Sequence, residues 1–510
     1  MNNQSFFKWI LSISLCLTLF SCFNTKGGNA LPNPEIQDGI AKLSGKITNF
    51  HPSGEKDCRM LTLRVVHPVT AEVCVITTEV SEDGVFTFEV PMQCDYAIGR
   101  ICPEFRAYDK FEVCLTSGKE TKTDIIYGET TGAIKSINQT DSLVLTSIDL
   151  ISINNLMNKL TSYISPVLFN SYAKTQDEFV QRARISLNDR LIKIAENKIL
   201  SENAKNYLAN NIKMFMLYCS FFSYRERTRV DYSNAGNKDV NPDLDKKYYA
   251  FLKDFDLNNK QYLYSWDYFN VFQQILSNDT LNIPPVGDMP LDQWMKETKA
   301  NMAKLVGFDK GLFYDMLAAN SYARQFNNEL RPLSDKQKAN ITNYFKDEKE
   351  EFAKILLKKN NEIIQLDAQK EPVVVNKTPE VPKEKLMDAI ISKYKGKVIV
   401  FDFWATWCAP CLDAMTKYRT VKGALRGKDV VFVYLTNVSS PQKLWEEKIK
   451  GIGGEHYYLG KEEWDYLMDT FQFEGIPSYV IFDKKGEVRH KFTAYQGNEK
   501  MQAMIEELLQ

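Results

Sequence analysis

The chain carries almost no net charge. Against 65 aspartates and glutamates stand 64 lysines and arginines, a formal −1 over 510 residues. A molecule so balanced exerts no long-range pull on nucleic acid or on an anionic membrane surface. No local basic patch stands out either, so nucleic acid is not expected as a partner. Histidine is scarce, with 4 residues, and His456 and His490 are isolated. A structural zinc site needs four ligands, and no second cysteine pair follows Cys411. No metal or other cofactor is expected. Internal repeats and low-complexity tracts are absent. Gly451-Ile452-Gly453-Gly454 lacks the following Gly-Lys-Ser/Thr of a phosphate loop and reads as a turn.

A long apolar run is also missing. The stretch from Trp9 to Phe20 is nearly all apolar, too short for a comfortable membrane span and suited to a signal-peptide core, with Lys8 and the terminal amine before it. It ends in Leu19-Phe20-Ser21-Cys22, which resembles the lipobox of bacterial lipoprotein signals. That resemblance implies a signal over residues 1–21 and a lipid on Cys22, with two or more acyl chains anchoring the protein to a membrane. Residues 22–39 are polar and rich in Gly, Asn and Pro, a tether composition.

What is present is ordinary globular material, 44% hydrophobic and 25% charged. The length exceeds what one core usually supports, so two or three domains are expected. Of the 10 cysteines, Cys16 lies in the removable segment. Outside the cytoplasm Cys58, Cys74, Cys94, Cys102, Cys114 and Cys219 could pair, but spacing does not give connectivity, and buried thiols account for them equally well.

Residues 40–130 alternate short β-rich runs with turns, as in Leu61–Val66, Val73–Val80 and Val85–Val90. Ser81-Glu82-Asp83-Gly84 predicts a hairpin between the last two. A small β-sandwich is expected, and Leu43–Ile47 with Asp83–Phe88 resembles the sandwich modules of Bacteroidetes lipoproteins. Residues 131–369 switch to helical periodicity, clearest over Lys346–Leu366, where Phe352, Ile355, Leu356, Ile363 and Leu366 share a face. The aromatics of Tyr248–Phe272 read as core, with a partner-binding groove as the alternative. Residues 370–382 hold Pro372, Pro379 and Pro382, a linker composition, with Val373–Val375 as a possible short strand.

The chemistry sits in residues 383–510. Lys397–Trp404 is the near-continuous apolar run of a strand buried on both faces. It leads into Trp407-Cys408-Ala409-Pro410-Cys411 and then a helical pattern through Leu412, Met415, Tyr418 and Val421. Strand, Cys-x-x-Cys and helix in that order are the setting of a redox dithiol. Cys408 at a helix N-terminus gains from free N–H groups and the macrodipole, which favour its thiolate. Cys411, one turn on, is placed to attack a mixed disulfide at Cys408.

Phe403–Cys411 together with Gly475-Ile476-Pro477-Ser478 resembles the thioredoxin superfamily, and more narrowly the TlpA/ResA-like exported oxidoreductases. Gly454–Leu459 resembles their Bacteroidetes lipoprotein members. The resemblance covers the last quarter of the chain and implies an α/β thioredoxin fold there, making the whole a multidomain chain: N-terminal β-sandwich, central α-helical domain, C-terminal redox domain. It implies that Cys408 attacks and Cys411 resolves. Pro477 becomes a cis-proline beside the site, with Ile476 and Trp407 contacting substrate. Asp402 falls where thioredoxins keep a buried acid able to take the proton of Cys411. The implied partners are disulfide-containing protein substrates and a membrane or periplasmic thiol electron donor, in the cell envelope, with reduction the expected direction. Departures exist: Ala409 replaces a glycine, Tyr434 stands about where thioredoxin has a lysine, and Asp413 is the nearest candidate for the family's helix acid. The alternative is a partner- or glycan-binding surface lipoprotein with an auxiliary redox domain.

Overall fold

Alternation of buried and exposed side chains defines the first strands. In Val85–Cys94 the side chains of Phe86, Phe88, Val90 and Met92 point inward while Val85, Thr87, Glu89 and Pro91 face solvent. A computed structural model describes residues 30–49, 59–106, 109–129, 133–162, 175–225, 244–329, 331–368 and 370–510. The signal segment and Cys22 lie outside the described residues, as do Cys16 and Cys58. No helix among the described residues is long and apolar enough to cross a membrane. The chain divides into two units, described separately: Met1–Ala323 with Asp335–Leu356, and Arg324–Ser334 with Leu357–Gln510.

Among the described residues the first unit opens with eight strands: β1 (Ile36–Thr48), β2 (Met60–His67), β3 (Glu72–Glu79), β4 (Val85–Cys94), β5 (Tyr96–Pro103), β6 (Phe111–Thr116), β7 (Glu120–Tyr127) and β8 (Ile134–Gln139). They form two four-stranded sheets, ordered β4-β1-β7-β8 and β3-β2-β5-β6. The expected hairpin is therefore corrected. β3 pairs with β2 and β4 with β1, so Ser81–Gly84 carries the chain from one sheet to the other. The turn itself forms, with Gly84 N–H donating to Ser81 O at 2.9 Å. Gly84 has φ +84°, and a Cβ there would lie 2.2 Å from the Ile47 carbonyl oxygen. Two boundaries also move. β1 begins inside the stretch expected as a tether, and β8 lies inside the stretch expected as helical.

Helices follow: α1 (Ser147–Ser162), α2 (Gln176–Ala195), α3 (Glu202–Cys219), α4 (Tyr268–Leu276), α5 (Leu291–Val306), α6 (Leu312–Arg324), α7 (Asp335–Tyr344) and α8 (Glu350–Ala368). Hydroxyl N-caps start two of them, Thr175 for α2 and Ser201 for α3. The aromatic stretch is core. Tyr248, Phe251 and Phe255 are buried, and Phe221 packs edge-on to Phe255 with centroids 5.3 Å apart. Burial of these rings removes the basis for reading them as an open groove. Cys74, Cys94, Cys102 and Cys114 are free thiols.

The second unit is built on one six-stranded sheet from β9 (Val373–Asn376), β10 (Val398–Phe403), β11 (Val430–Asn437), β12 (Gly454–Leu459), β13 (Ser478–Phe482) and β14 (Val488–Thr493). The order is β14-β13-β10-β11-β12-β9. β10, β11, β12 and β9 run parallel, while β13 and β14 are antiparallel additions. β9 comes from the segment read as a linker: the run of valines finds a free sheet edge beside β12. Both faces are covered, which is why β10 is apolar but for Asp402. Val398, Val400 and Trp404 pack with α10 (Ala409–Ala424), α11 (Gln442–Ile452) and α13 (Asn498–Leu509). Ile399, Phe401 and Phe403 pack with α9 (Leu386–Ser392) and α12 (Lys461–Phe471).

Candidate active site

β10 delivers the chain to the N-terminus of α10, and there the two cysteines meet. Cys408 and Cys411 form a disulfide with Cα atoms 5.3 Å apart. Cys408 is the N-cap residue: its carbonyl oxygen accepts from the N–H groups of Cys411 and Leu412 at 3.1 and 3.2 Å. The Cys411 N–H also reaches Cys408 Sγ at 3.2 Å. The sulfur of Cys408 thus sits among the unsatisfied donors of the helix start, where negative charge is favoured. Pro410 occupies the first turn, where its missing N–H costs nothing. Cys408 keeps 3% of its surface exposed and Cys411 none. A substrate arriving from solvent therefore meets Cys408.

Three neighbours frame that opening. The Ile476–Pro477 bond is cis, and the Ile476 carbonyl oxygen lies 3.7 Å from Cys408 Sγ. Trp407 is 63% exposed, and its indole N–H donates to Ser439 Oγ at 3.0 Å. Ser439 in turn donates to Asn437 Oδ1 at 2.6 Å. Ser440 Oγ accepts from the Thr406 N–H at 3.0 Å and exchanges a hydrogen bond with Thr436 at 2.8 Å. The turn after β11 therefore braces the cysteine-bearing loop, a role that the sequence reading did not assign to it.

Beneath the disulfide lies a buried polar group of residues. Asp402 alternates with Val400 and Trp404 along β10 and so faces the same side as Cys411. It is 2% exposed, and neither carboxylate oxygen has a hydrogen-bond partner among the described residues. Burial pushes its pKa well above the ordinary carboxylate range, with Lys422 pulling the other way. Tyr434 on β11 and Tyr479 on β13 stand opposite Asp402 in register. Burial raises the phenol pKa of both.

Lys422 was missed by the sequence reading. Its ammonium lies 3.3 Å from Tyr434 OH, 3.4 Å from Glu371 Oε2 and 3.3 Å from the Ile452 carbonyl oxygen. Desolvation lowers its pKa to about 8, against the pull of Glu371. The signal was available: Cys411, Met415, Tyr418, Lys422 and Leu425 follow helical spacing, and a lysine interrupts an otherwise apolar stripe. His456 stacks on Tyr434 at 4.9 Å, with Nε2 3.2 Å from the Gly453 carbonyl oxygen. Burial, then Lys422, lower its pKa to about 3, so the imidazole is neutral. Asp413 sits elsewhere, exposed and paired with Lys417 at 2.8 Å.

Comparison with known proteins finds relatives of the C-terminal part of the chain. A thioredoxin-like family profile matches residues 396–488. The thiol-disulfide oxidoreductase ResA of Geobacillus kaustophilus is 28% identical over 118 residues, 23% of this chain and 67% of that protein. The thiol-disulfide oxidoreductase YkuV of Bacillus subtilis is 26% identical over 136 residues, 26% of this chain and 84% of that protein. Among solved structures, StoA of Bacillus subtilis is 22% identical, covering 21% of this chain and 82% of its own, with a TM-score of 0.19. The C-terminal quarter of the chain is a thioredoxin-like domain of the thiol–disulfide oxidoreductase kind.

Proposed function

We propose that the chain is an exported, lipid-anchored thiol–disulfide oxidoreductase that reduces disulfides of envelope proteins through Cys408 and Cys411. The observation that carries this reading is the asymmetry of the pair: Cys408 caps α10 beside the Ile476 carbonyl and retains exposure, while Cys411 is fully enclosed. In the reduced protein the Cys408 thiolate attacks one sulfur of a substrate disulfide. A Cys408–substrate mixed disulfide forms and the first substrate thiolate leaves. Cys411 then gives its proton to the Asp402 carboxylate as its sulfur attacks Cys408 Sγ. That closes the Cys408–Cys411 disulfide and expels the second substrate thiolate. Two electrons pass from the dithiol to the substrate, and an external thiol donor restores the dithiol.

The raised proton affinity that burial gives Asp402 suits a base. Trp407 and Ile476 with Pro477 form the surface against which the substrate chain rests. The reducing direction and the envelope location rest on the resemblance to TlpA/ResA-like proteins and on the signal-like N-terminus. Anchoring rests on the lipobox-like sequence ending at Cys22. The working division is a signal, a short tether, a β-rich domain, a helical domain and the redox domain.

Trapping tests this directly. A Cys411→Ser variant is expected to accumulate disulfide-linked partners that dithiothreitol releases, and the Cys408→Ser/Cys411→Ser double variant none. Absence of trapped species from the single variant would remove the exchange mechanism.

A further inference from the structure

A lysine buried on the apolar stripe of a helix is expensive to maintain unless its charge is used or well paired. Lys422 stands at that kind of position, 5% exposed. Oxygens from four groups surround its ammonium: Tyr434 OH, Glu371 Oε2 and the carbonyls of Ile452 and Gly453, at 3.3 to 3.5 Å. Tyr434, whose ring lies 5.2 Å below that ammonium, is the residue opposite Asp402 in the β10–β11 register. Asp402 itself is buried without a hydrogen-bond partner among the described residues. The geometry sets one unpartnered acid and one buried cation on the same side of adjacent elements, separated by a tyrosine.

We propose that Lys422 is a positioning residue of the redox site, held in its charged form by Glu371, and that its charge sets the proton affinity of Asp402. Glu371 lies just before β9, outside the thioredoxin-like match at 396–488, so the segment leading into the edge strand takes part in the electrostatics of the active site. The coupling of Lys422 to Asp402 runs through their common neighbour Tyr434; its part in turnover rests on the proposed role of Asp402 as the proton acceptor for Cys411.

The other groups around Asp402 leave Lys422 as the charge acting on it. Tyr434 of β11, Tyr479 of β13 and Tyr418 of α10 are kept protonated by burial. Tyr495, after β14, is likewise held protonated by burial, and His456 of β12 is neutral. The disulfide sulfurs do not titrate. Arg419 of α10 is occupied by the Gly451 carbonyl oxygen and faces Tyr434 and Asp367. An opposite charge within about 4 to 6 Å lowers the pKa of an acid by about 1 to 3 units. Loss of Glu371 takes away the group that opposes the desolvation of Lys422, so burial favours the neutral amine and its effect on Asp402 weakens.

pH-difference infrared spectra of the full-length oxidised protein read the titration of Asp402 through the carboxyl band that Asp402→Asn abolishes. Lys422→Met is expected to move the midpoint of that band up by about one pH unit or more. Glu371→Gln is expected to move it the same way, and Lys422→Arg, which stays charged, to leave it near the wild-type value. A folded Lys422→Met protein with an unmoved midpoint overturns the proposal. Should that variant not fold, Glu371→Gln decides: an upward shift supports the coupling and no shift overturns it. The rate at which Cys411 resolves a Cys408–glutathione mixed disulfide, followed against pH, gives the second readout. A shifted Asp402 band with an unshifted rate profile supports the coupling and removes Asp402 as the proton acceptor.

Discussion

Two buried groups beneath the disulfide carry opposite linkage signs. The carboxyl of Asp402 has its folded pKa raised by burial. Below the ordinary carboxylate range of about pH 4 both folded and unfolded states are protonated, and burial of the acid costs little. As pH rises the unfolded chain ionises first, so stability falls until the folded carboxyl ionises too. Asp402→Asn is therefore expected to gain stability over the wild type in urea titrations at pH 7, with little gain at pH 4. The same variant is expected to slow resolution by Cys411 by about 10²-fold or more, in line with loss of a general base. A variant that resolves at the wild-type rate would contradict the assigned role. His456 runs the other way. Its pKa falls from 6.5 to about 3 in the folded state. Between those values the unfolded chain binds more protons, so stability drops as pH falls. His456→Phe, which keeps a ring against Tyr434, is expected to flatten that acid limb of unfolding measured from pH 7 to pH 4.

At this scale much of the site is legible in the sequence. The Cys-x-x-Cys pair after an apolar strand places Cys408 at a helix start from spacing alone. The lysine at 422 is legible too, as a polar residue in the stripe of Cys411, Met415, Tyr418 and Leu425. Its partner Glu371 is not, because no local pattern tells which remote carboxylate a helix lysine meets.

At the scale of elements, local signals mark where strands and turns lie, but not which sheet each strand joins. Asp83-Gly84 does mark a turn, yet β3 and β4 flank it in different sheets, because strand pairing is decided by side-chain packing far along the chain. The prolines around Val373–Asn376 read as a linker holding a short strand at Val373–Val375, and that valine run does form β9, on the open edge of β12. Gly453 makes that edge. Its φ is +69°, and a Cβ would lie 2.3 Å from the Glu371 carbonyl oxygen. Gly453→Ala is thus expected to cost about 2 kcal/mol or more, from backbone strain and displacement of the segment before β9. Chemical denaturation gives the value. A loss within a few tenths of a kcal/mol would mean that the close approach is easily relaxed.

Across the whole molecule, most residues lie outside the redox domain, and its dithiol chemistry does not require them. The β-rich and helical regions bury their aromatics as core, which leaves their contribution to be sought in partner choice. Anchoring is checked by growth with radiolabelled palmitate: Cys22 is expected to carry label and Cys22→Ala none. Equal labelling of both proteins would reject the lipid site.

Cys408 and Cys411 are expected to form a reducing two-electron couple, which equilibration of the full-length protein in glutathione or dithiothreitol buffers measures. A midpoint near that of thioredoxin, about −270 mV or lower, is the predicted result. A midpoint nearer −120 mV would make the protein a disulfide donor, and the absence of any reversible couple would contradict the enzyme itself.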